Sequence, residues 1–114
     1  LEPVLARAAD RLRAAVAAEP AAVAGTGRFD TEVMTVTGAD AFVKYGAEGV
    51  FTVAVPRLGL GVAVKADDGA ARAAEVVTGA VLAHLLPEHA LGPFARQPVQ
   101  SRRGEPVGEV RASL

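Results

Sequence analysis

The sequence contains no cysteine and no tryptophan, and only 4% of its 114 residues are aromatic. Without cysteine the chain has neither a disulfide framework nor a thiolate for nucleophilic or metal chemistry. The absence of cysteine is compatible with a reducing compartment. No leader typical of an export signal precedes the first predicted helix. We therefore expect a cytoplasmic protein.

An excess of charge and a long hydrophobic run are also missing. The 12 Lys and Arg residues nearly balance the 13 Asp and Glu residues, which leaves a net charge of −1. A nucleic-acid surface needs a basic excess, and a membrane span needs about 18 consecutive apolar residues. The sequence therefore predicts a small-molecule partner, and neither nucleic acid nor a membrane.

Metal ligands are scarce as well. The two histidines, His84 and His89, fall at the end of a predicted helix and in a proline-rich tail. A structural zinc site needs four ligands at closer spacing, whereas a histidine at a helix C-terminus is favoured by the helix dipole. We therefore expect no metal and no cofactor.

What the sequence does have is apolar periodicity of two kinds. Helical spacing predicts an amphipathic helix over residues 3–19, a short helix over 31–36 with Asp30 as N-cap, and a helix over 70–85. Alternation predicts three consecutive strands over residues 41–47, 50–55 and 58–65, and a short edge strand over 107–111. In the third strand, Gly59 and Gly61 leave one face nearly without side chains, which predicts that a helix or another backbone packs closely there.

The connections between the three strands are too short for a crossover helix, so the strands pair antiparallel. The fold class is therefore α+β, an antiparallel sheet layered with helices, and no glycine fingerprint for phosphates appears. Residues 1–114 fit a single domain. Because they begin with Leu1 rather than methionine, we expect them to be part of a longer chain.

The segment FVKYGAEGVFTVAVP, residues 42–56, places charge and glycine within a strand pattern. A buried strand rejects both, so Lys44 and Gly46 predict either an edge strand or a backbone that a ligand approaches. Alternation puts the two on one side, where an ammonium can hold a carboxylate and an amide can stabilise an oxyanion by about 3 kcal/mol. The structural alternative is a solvated lysine that protects an edge strand from aggregation.

Three charged side chains near this segment have simpler explanations. Glu48 either orients the site, pairs with Lys44 or is a turn carboxylate, and the last interpretation is favoured because residues four apart on a strand are distant. Asp67 and Asp68 either form a charged cluster with Lys65 or cap the following helix, and capping is favoured.

The residues of this region resemble a known family. KYGA, residues 44–47, is similar to the Lys-Ser/Thr-Gly-Ala strand motif of serine β-lactamases, penicillin-binding peptidases and serine-dependent glutaminases. GRFD, residues 27–30, is similar to the Gly-x-Tyr-Asp segment of the glutaminases. The combined order of GTGRFDTEVM, VKYGAEGVF and GLGVAVKADDGAARAAEVV resembles the C-terminal part of the L-asparaginase II family, over about residues 20–80.

This resemblance implies a β-lactamase/transpeptidase-like fold and an asparaginase that converts L-asparagine to L-aspartate and ammonia through a serine acyl-enzyme. It implies that Lys44 is the second active-site lysine and that the Ala47 amide is one half of the oxyanion hole. The residues implied to bind the substrate are Phe29, Asp30, Tyr45 and Gly46.

The sequence departs from the family pattern in three ways. Tyr45 replaces a small hydroxyl residue, and Phe29 lacks the hydroxyl of its tyrosine counterpart. The Ser-x-x-Lys motif is absent, because neither Ser nor Thr stands three residues before Lys44 or Lys65. The resemblance therefore implies that the nucleophile lies outside this chain, which supplies one wall of the site as the C-terminal portion and is inactive by itself.

Two alternatives stay open. The same fold with another substrate would act on glutamine, a β-lactam or a peptidoglycan amide. A fragment without catalysis would instead pair with a partner through its exposed sheet. In each case a portion of a larger fold exposes apolar faces, from which we expect a homodimer.

Overall fold

The computed structural model describes residues 2–114 and contains helices and antiparallel sheets, which confirms the predicted α+β class. Its α-helices are α1 (Pro3–Ala18), α2 (Ala21–Ala24), α3 (Phe29–Thr37) and α4 (Ala71–Leu85). Its strands are β1 (Phe42–Gly46), β2 (Val50–Val55), β3 (Leu60–Lys65), β4 (Arg96–Gln100) and β5 (Pro106–Arg111). Single turns of 3-10 helix lie at Gly38–Asp40, Pro56–Leu58 and Gly92–Ala95. None of the helices in residues 2–114 has the length and hydrophobicity that crossing a bilayer requires.

The chain divides into two compact units. The first unit takes in the chain up to Lys44 together with Val53–Val62, and the second takes in Tyr45–Thr52 together with Ala63–Leu114. Strands β1, β2 and β3 form one sheet in that order, so β1 and β3 are its edges among the described residues. The three predicted strands are thus confirmed, with boundaries that differ by at most two residues.

In the first unit, α1 confirms the helix predicted over residues 3–19. It begins with Pro3, whose fixed φ angle suits the first helical turn. No residue of α1 is buried, and Leu5 and Leu12 are 55% and 68% exposed. The N-terminal part of the apolar stripe of this helix therefore remains uncovered, whereas Val16 near its other end is half-buried.

Helix α3 begins at Phe29, two residues before the predicted start, and the predicted N-cap is wrong. The N-cap is Arg28, whose backbone is extended and whose carbonyl accepts the Glu32 amide at 3.0 Å. Asp30 lies inside the first turn instead. A carboxylate there is still favoured by the positive end of the helix.

The glycines of the β3 region do not receive a closely packed neighbour, so that prediction is wrong. A Cβ atom added to Gly59 or Gly61 would meet no atom within 4 Å. Leu58 and Leu60 are 43% and 44% exposed, so the opposite face is only partly covered at these positions. Gly59 has a different role. Its left-handed backbone, with a φ of 62°, terminates the turn at Pro56–Leu58.

In the second unit, α4 confirms the helix predicted over residues 70–85. The predicted capping takes an altered form, since the N-cap is Ala70 and has no side-chain capping bond. Asp68 Oδ1 accepts the Ala70 amide at 2.9 Å, so this carboxylate holds the turn that leads into the helix. His84 lies exposed in the last turn, where the helix dipole favours a basic side chain.

The proline-rich tail is more regular than predicted. Strands β4 and β5 pair antiparallel, and only the second of them was expected. The Ser101 amide donates to the Glu105 carbonyl at 2.8 Å, and Gly104 adopts a φ of 82° in the turn between them. Pro98 is tolerated within β4 because a strand at a sheet edge does not need every amide for pairing.

Helix α4 packs against the short helix Gly92–Ala95 through a glycine. Gly79 is buried, and a Cβ atom added to it would lie 2.8 Å from Phe94 Cβ and would overlap the Phe94 carbonyl. A backbone carbonyl cannot swing aside as the end of a long side chain can. Gly79 therefore sets how closely these two elements approach.

We predict that Gly79→Ala lowers the free energy of unfolding by about 1–3 kcal/mol, because overpacking forces the two elements apart. The matched control is Gly92→Ala, whose added Cβ meets nothing within 4 Å. We expect this control to change stability by less than about 0.5 kcal/mol. Urea unfolding of both variants checks this, and equal stabilities would contradict the proposed packing.

Candidate functional site

Strand β1 carries Lys44 at its centre. Lys44 is exposed, whereas its neighbour Val43 is fully buried. The edge position of β1 confirms one of the two situations predicted for a strand that contains both charge and glycine. An edge strand presents a row of backbone N–H and C=O groups on the side away from its neighbour. The lysine therefore lies on a strand whose geometry suits backbone recognition.

Gly46 at the end of β1 has a structural role of its own. A Cβ atom added to it would lie 3.4 Å from Val50 Cβ and 3.6 Å from Val50 Cγ1. Directly opposed Cβ atoms in an antiparallel pair are usually about 4.5–5.5 Å apart. The missing side chain thus lets the two strand ends come close where the chain reverses.

Tyr45 is held by an aromatic contact. Its ring centroid lies 5.2 Å from that of Phe51, with the ring planes inclined at 54°. Phe51 is 1% exposed, so the contact anchors Tyr45 to a buried side chain. Such pairs contribute about 0.5–1.5 kcal/mol beyond the apolar area they bury.

The turn after β1 consists of Ala47, Glu48 and Gly49. Ala47 and Glu48 are exposed, and Gly49 is buried. Glu48 has a φ of 59°, and among the described residues it alone has a positive φ without being glycine. This conformation costs about 1–2 kcal/mol for a residue with a side chain.

Gly49, the last residue of this turn, packs against a second turn formed by residues 66–69. The Ala66 amide donates to the Gly49 carbonyl at 2.9 Å. A Cβ atom added to Gly49 would lie 2.8 Å from the carbonyl carbon of Gly69 and 3.1 Å from Ala66 Cβ. Only glycine fits here, and the resulting contact fixes the path of the chain through Ala47 and Glu48.

The other predicted site residues lie in the first unit, at the start of α3. Phe29 is half-buried, and Asp30 is 1% exposed. The Oγ1 hydroxyl of Thr31 donates to the Gly25 carbonyl at 2.5 Å and ties the preceding loop to the helix. Asp30 therefore lies beneath the surface of an anchored helical turn.

The first unit also contains a cleft of about 290 Å³ beside α1. The salt bridge between Asp10 and Arg13 lies on its wall. The other residues that line it are Ala14, Val16, Ala17, Gly38, Ala39, Ala41, Phe42 and Pro56. None of the six predicted site residues lines this cleft, although Phe42 belongs to the same strand as Lys44.

The six predicted residues fall into two local groups. Lys44 to Ala47 follow one another on β1 and its turn, and Phe29 and Asp30 share the first turn of α3. Sequence reasoning treated Glu48 as an ordinary turn carboxylate and missed its left-handed backbone. The only available signal was its place directly before Gly49, because glutamate itself does not favour that conformation.

The chain matches the family model described as L-asparaginase II over residues 2–112. Among curated proteins no significant match was found. The match extends beyond the region in which the motifs were found and takes in α1, α4 and the hairpin of β4 and β5.

We predict different costs for removing the two acidic side chains in the first turn of α3. Asp30→Ala lowers the free energy of unfolding by about 1–3 kcal/mol, because removal of a buried carboxylate leaves the polar groups around it without a partner. The matched control is Glu32→Ala, whose side chain is exposed in the same turn. It loses only the interaction with the helix dipole, about 0.3–1 kcal/mol. Thermal unfolding of the two variants checks the difference, and a larger cost at Glu32 would contradict it.

Proposed function

Because the chain belongs to the L-asparaginase II family, we propose that it forms part of an amidohydrolase that converts L-asparagine to L-aspartate and ammonia. The family is one of asparaginase-type amidohydrolases, and its substrates are amides. The observation that carries the proposal is the family match over residues 2–112 together with an exposed lysine on the edge strand that bears the KYGA motif.

The proposed reaction runs through an acyl-enzyme. A serine hydroxyl supplied outside these 114 residues attacks the side-chain amide carbon, and its proton passes to the leaving nitrogen. The carbon–nitrogen bond breaks, ammonia departs, and water then hydrolyses the serine ester to L-aspartate. No cofactor takes part in this sequence.

Lys44 and Ala47 have separate tasks in this proposal. The Lys44 ammonium lies beside the reacting carbonyl, where it orients the substrate and assists proton transfer. The Ala47 amide donates to the oxygen that becomes negative in the tetrahedral intermediate, as one half of an oxyanion hole. The exposure of both residues on β1 and its turn supports these roles.

The remaining four residues shape the substrate site. Gly46 gives the substrate access to the strand backbone, and Tyr45 braces it through the contact with Phe51. Phe29 offers an apolar surface, and Asp30 acts from its buried position by holding the first turn of α3.

We further propose that these residues are the C-terminal portion of a longer cytoplasmic protein with a β-lactamase/transpeptidase-like fold. In it they form a single domain together with the part that carries the nucleophile. The absence of Ser-x-x-Lys from this chain supports a nucleophile elsewhere. By itself the chain has no amidase activity.

Lys44→Ala in the full-length protein tests this function. We expect ammonia release from L-asparagine to fall by about 10²–10⁴-fold, because the variant loses a group that assists proton transfer. Lys65→Ala is the matched control, since the chain has no third lysine and Lys65 is likewise exposed on an edge strand. We expect this control to keep wild-type activity.

Full activity in Lys44→Ala would show that the assigned role is wrong. Glutamine is assayed alongside asparagine, and faster release from glutamine would change the substrate while leaving the reaction class in place. Wild-type protein that releases ammonia from neither amide would overturn the proposed function.

We also propose that the 114-residue chain is a homodimer. The uncovered apolar stripe of α1, with Val4, Leu5 and Leu12 all more than half exposed, supports an interface. Leu12→Glu is expected to yield monomer by light scattering, because a charge at the centre of an apolar interface is costly. Arg7→Gln, on the side of the helix away from Leu5 and Leu12, should remain dimeric. A wild-type protein that stays monomeric at high concentration contradicts the proposal.

A further inference from the structure

Glu48 combines two properties that are unusual in one residue. It is exposed, and its φ of 59° is one that glycine adopts without strain. Elsewhere among the described residues every positive φ is taken by a glycine, including the adjacent Gly49. Strained backbone of this kind concentrates at functional sites and supports a role for this side chain.

The position of Glu48 is fixed rather than loose. On one side it follows Ala47, the proposed oxyanion-hole residue, and on the other it precedes Gly49, which is locked against the 66–69 turn. A Cβ atom added to Gly69 would lie 3.6 Å from Glu48 Cα, so the two backbones are in contact at this point. The carboxylate is therefore carried by a rigid turn, one residue from the amide that is to bind the substrate.

The proposed substrate needs such a group. L-Asparagine carries an α-carboxylate and an α-ammonium besides the amide that reacts. The proposed function places Lys44 and the Ala47 amide at the reacting amide, so a separate anion is needed to complement the α-ammonium. Glu48 is the acidic side chain within β1 and the turn that follows it.

We propose that the Glu48 carboxylate binds the α-ammonium of the amino-acid amide and thereby sets the requirement for a free amino group. This inference rests on the proposed amidohydrolase function. Glu48 is then a substrate-binding residue. Its strained backbone is needed to direct the carboxylate toward the substrate from the turn that also presents the Ala47 amide.

The neighbouring turn provides the comparison residue. Asp67 is also exposed, and it lies in the 66–69 turn that contacts Gly49. The carboxylate of Asp68 already accepts the Ala70 amide. Asp67→Asn therefore removes the same charge from the same surface region and is the matched control for a general effect of negative charge.

The experiment compares Glu48→Gln with wild type in the full-length protein on two substrates. L-Asparagine has the α-ammonium, and succinamic acid is the same molecule without its amino group. We expect Glu48→Gln to raise KM for L-asparagine by about 10–100-fold, the usual cost of losing a hydrogen bond to a charged group. We expect kcat for L-asparagine, both constants for succinamic acid, and the Asp67→Asn variant to stay within about threefold of wild type.

The Glu48→Gly variant distinguishes the effect of the carboxylate on substrate binding from the effect of backbone strain on stability. Glycine adopts the observed φ readily, so the unfolding temperature should stay the same or rise by up to about 4 °C. Its KM for L-asparagine should nevertheless rise as in Glu48→Gln. A more stable variant with weaker binding of L-asparagine alone is what a substrate-binding carboxylate predicts.

Three results would overturn the inference while leaving the proposed function intact. They are an unchanged KM for L-asparagine in Glu48→Gln, an equal loss on both substrates, and an equal loss in Asp67→Asn. Wild-type protein that hydrolyses neither amide would overturn the proposed function, and the role of Glu48 with it.

Discussion

The contact between two backbones at Gly49 and Gly69 constrains the part of the molecule on which the proposed chemistry depends. A Cβ atom at Gly49 would require a shift of the chain, Gly69 has a left-handed backbone with a φ of 72°, and Gly49 is also bonded to Ala66. Because the turn after β1 ends in this contact, the path of Ala47 and Glu48 is determined by packing rather than by the preferences of those residues. The turn is thus held by packing at Gly49 and strained at Glu48.

Regular elements with strong local periodicity could be predicted from the sequence. Helices α1 and α4 and strands β1 to β3 follow from spacings within short windows, and the turn glycines and prolines mark their ends. The family, too, could be recognised from the order of a few motifs around Lys44, and the match over residues 2–112 confirms it. Local pattern and motif order require no knowledge of the tertiary contacts.

Features that depend on tertiary contacts could not be predicted. Asp30 has the residue type of an N-cap, but the helix begins at Phe29 and buries the carboxylate in its first turn. Strand β4 contains Pro98, and in the sequence alone a proline indicates that a strand is interrupted. Only the pairing with β5 shows that a strand is present. The left-handed backbone of Glu48 stands directly before the contact at Gly49, which joins residues far apart in sequence.

The edge position of β1 bears on how a protein of this kind selects substrates by size. An extended peptide can add to an open edge as an extra strand, using the same backbone groups that a small amide would use. In the proposed site, the strand chemistry around Lys44 makes no distinction between a free amino acid and a residue within a polypeptide. Discrimination against longer chains has to come from whatever encloses that edge and from recognition of both termini of the amino acid.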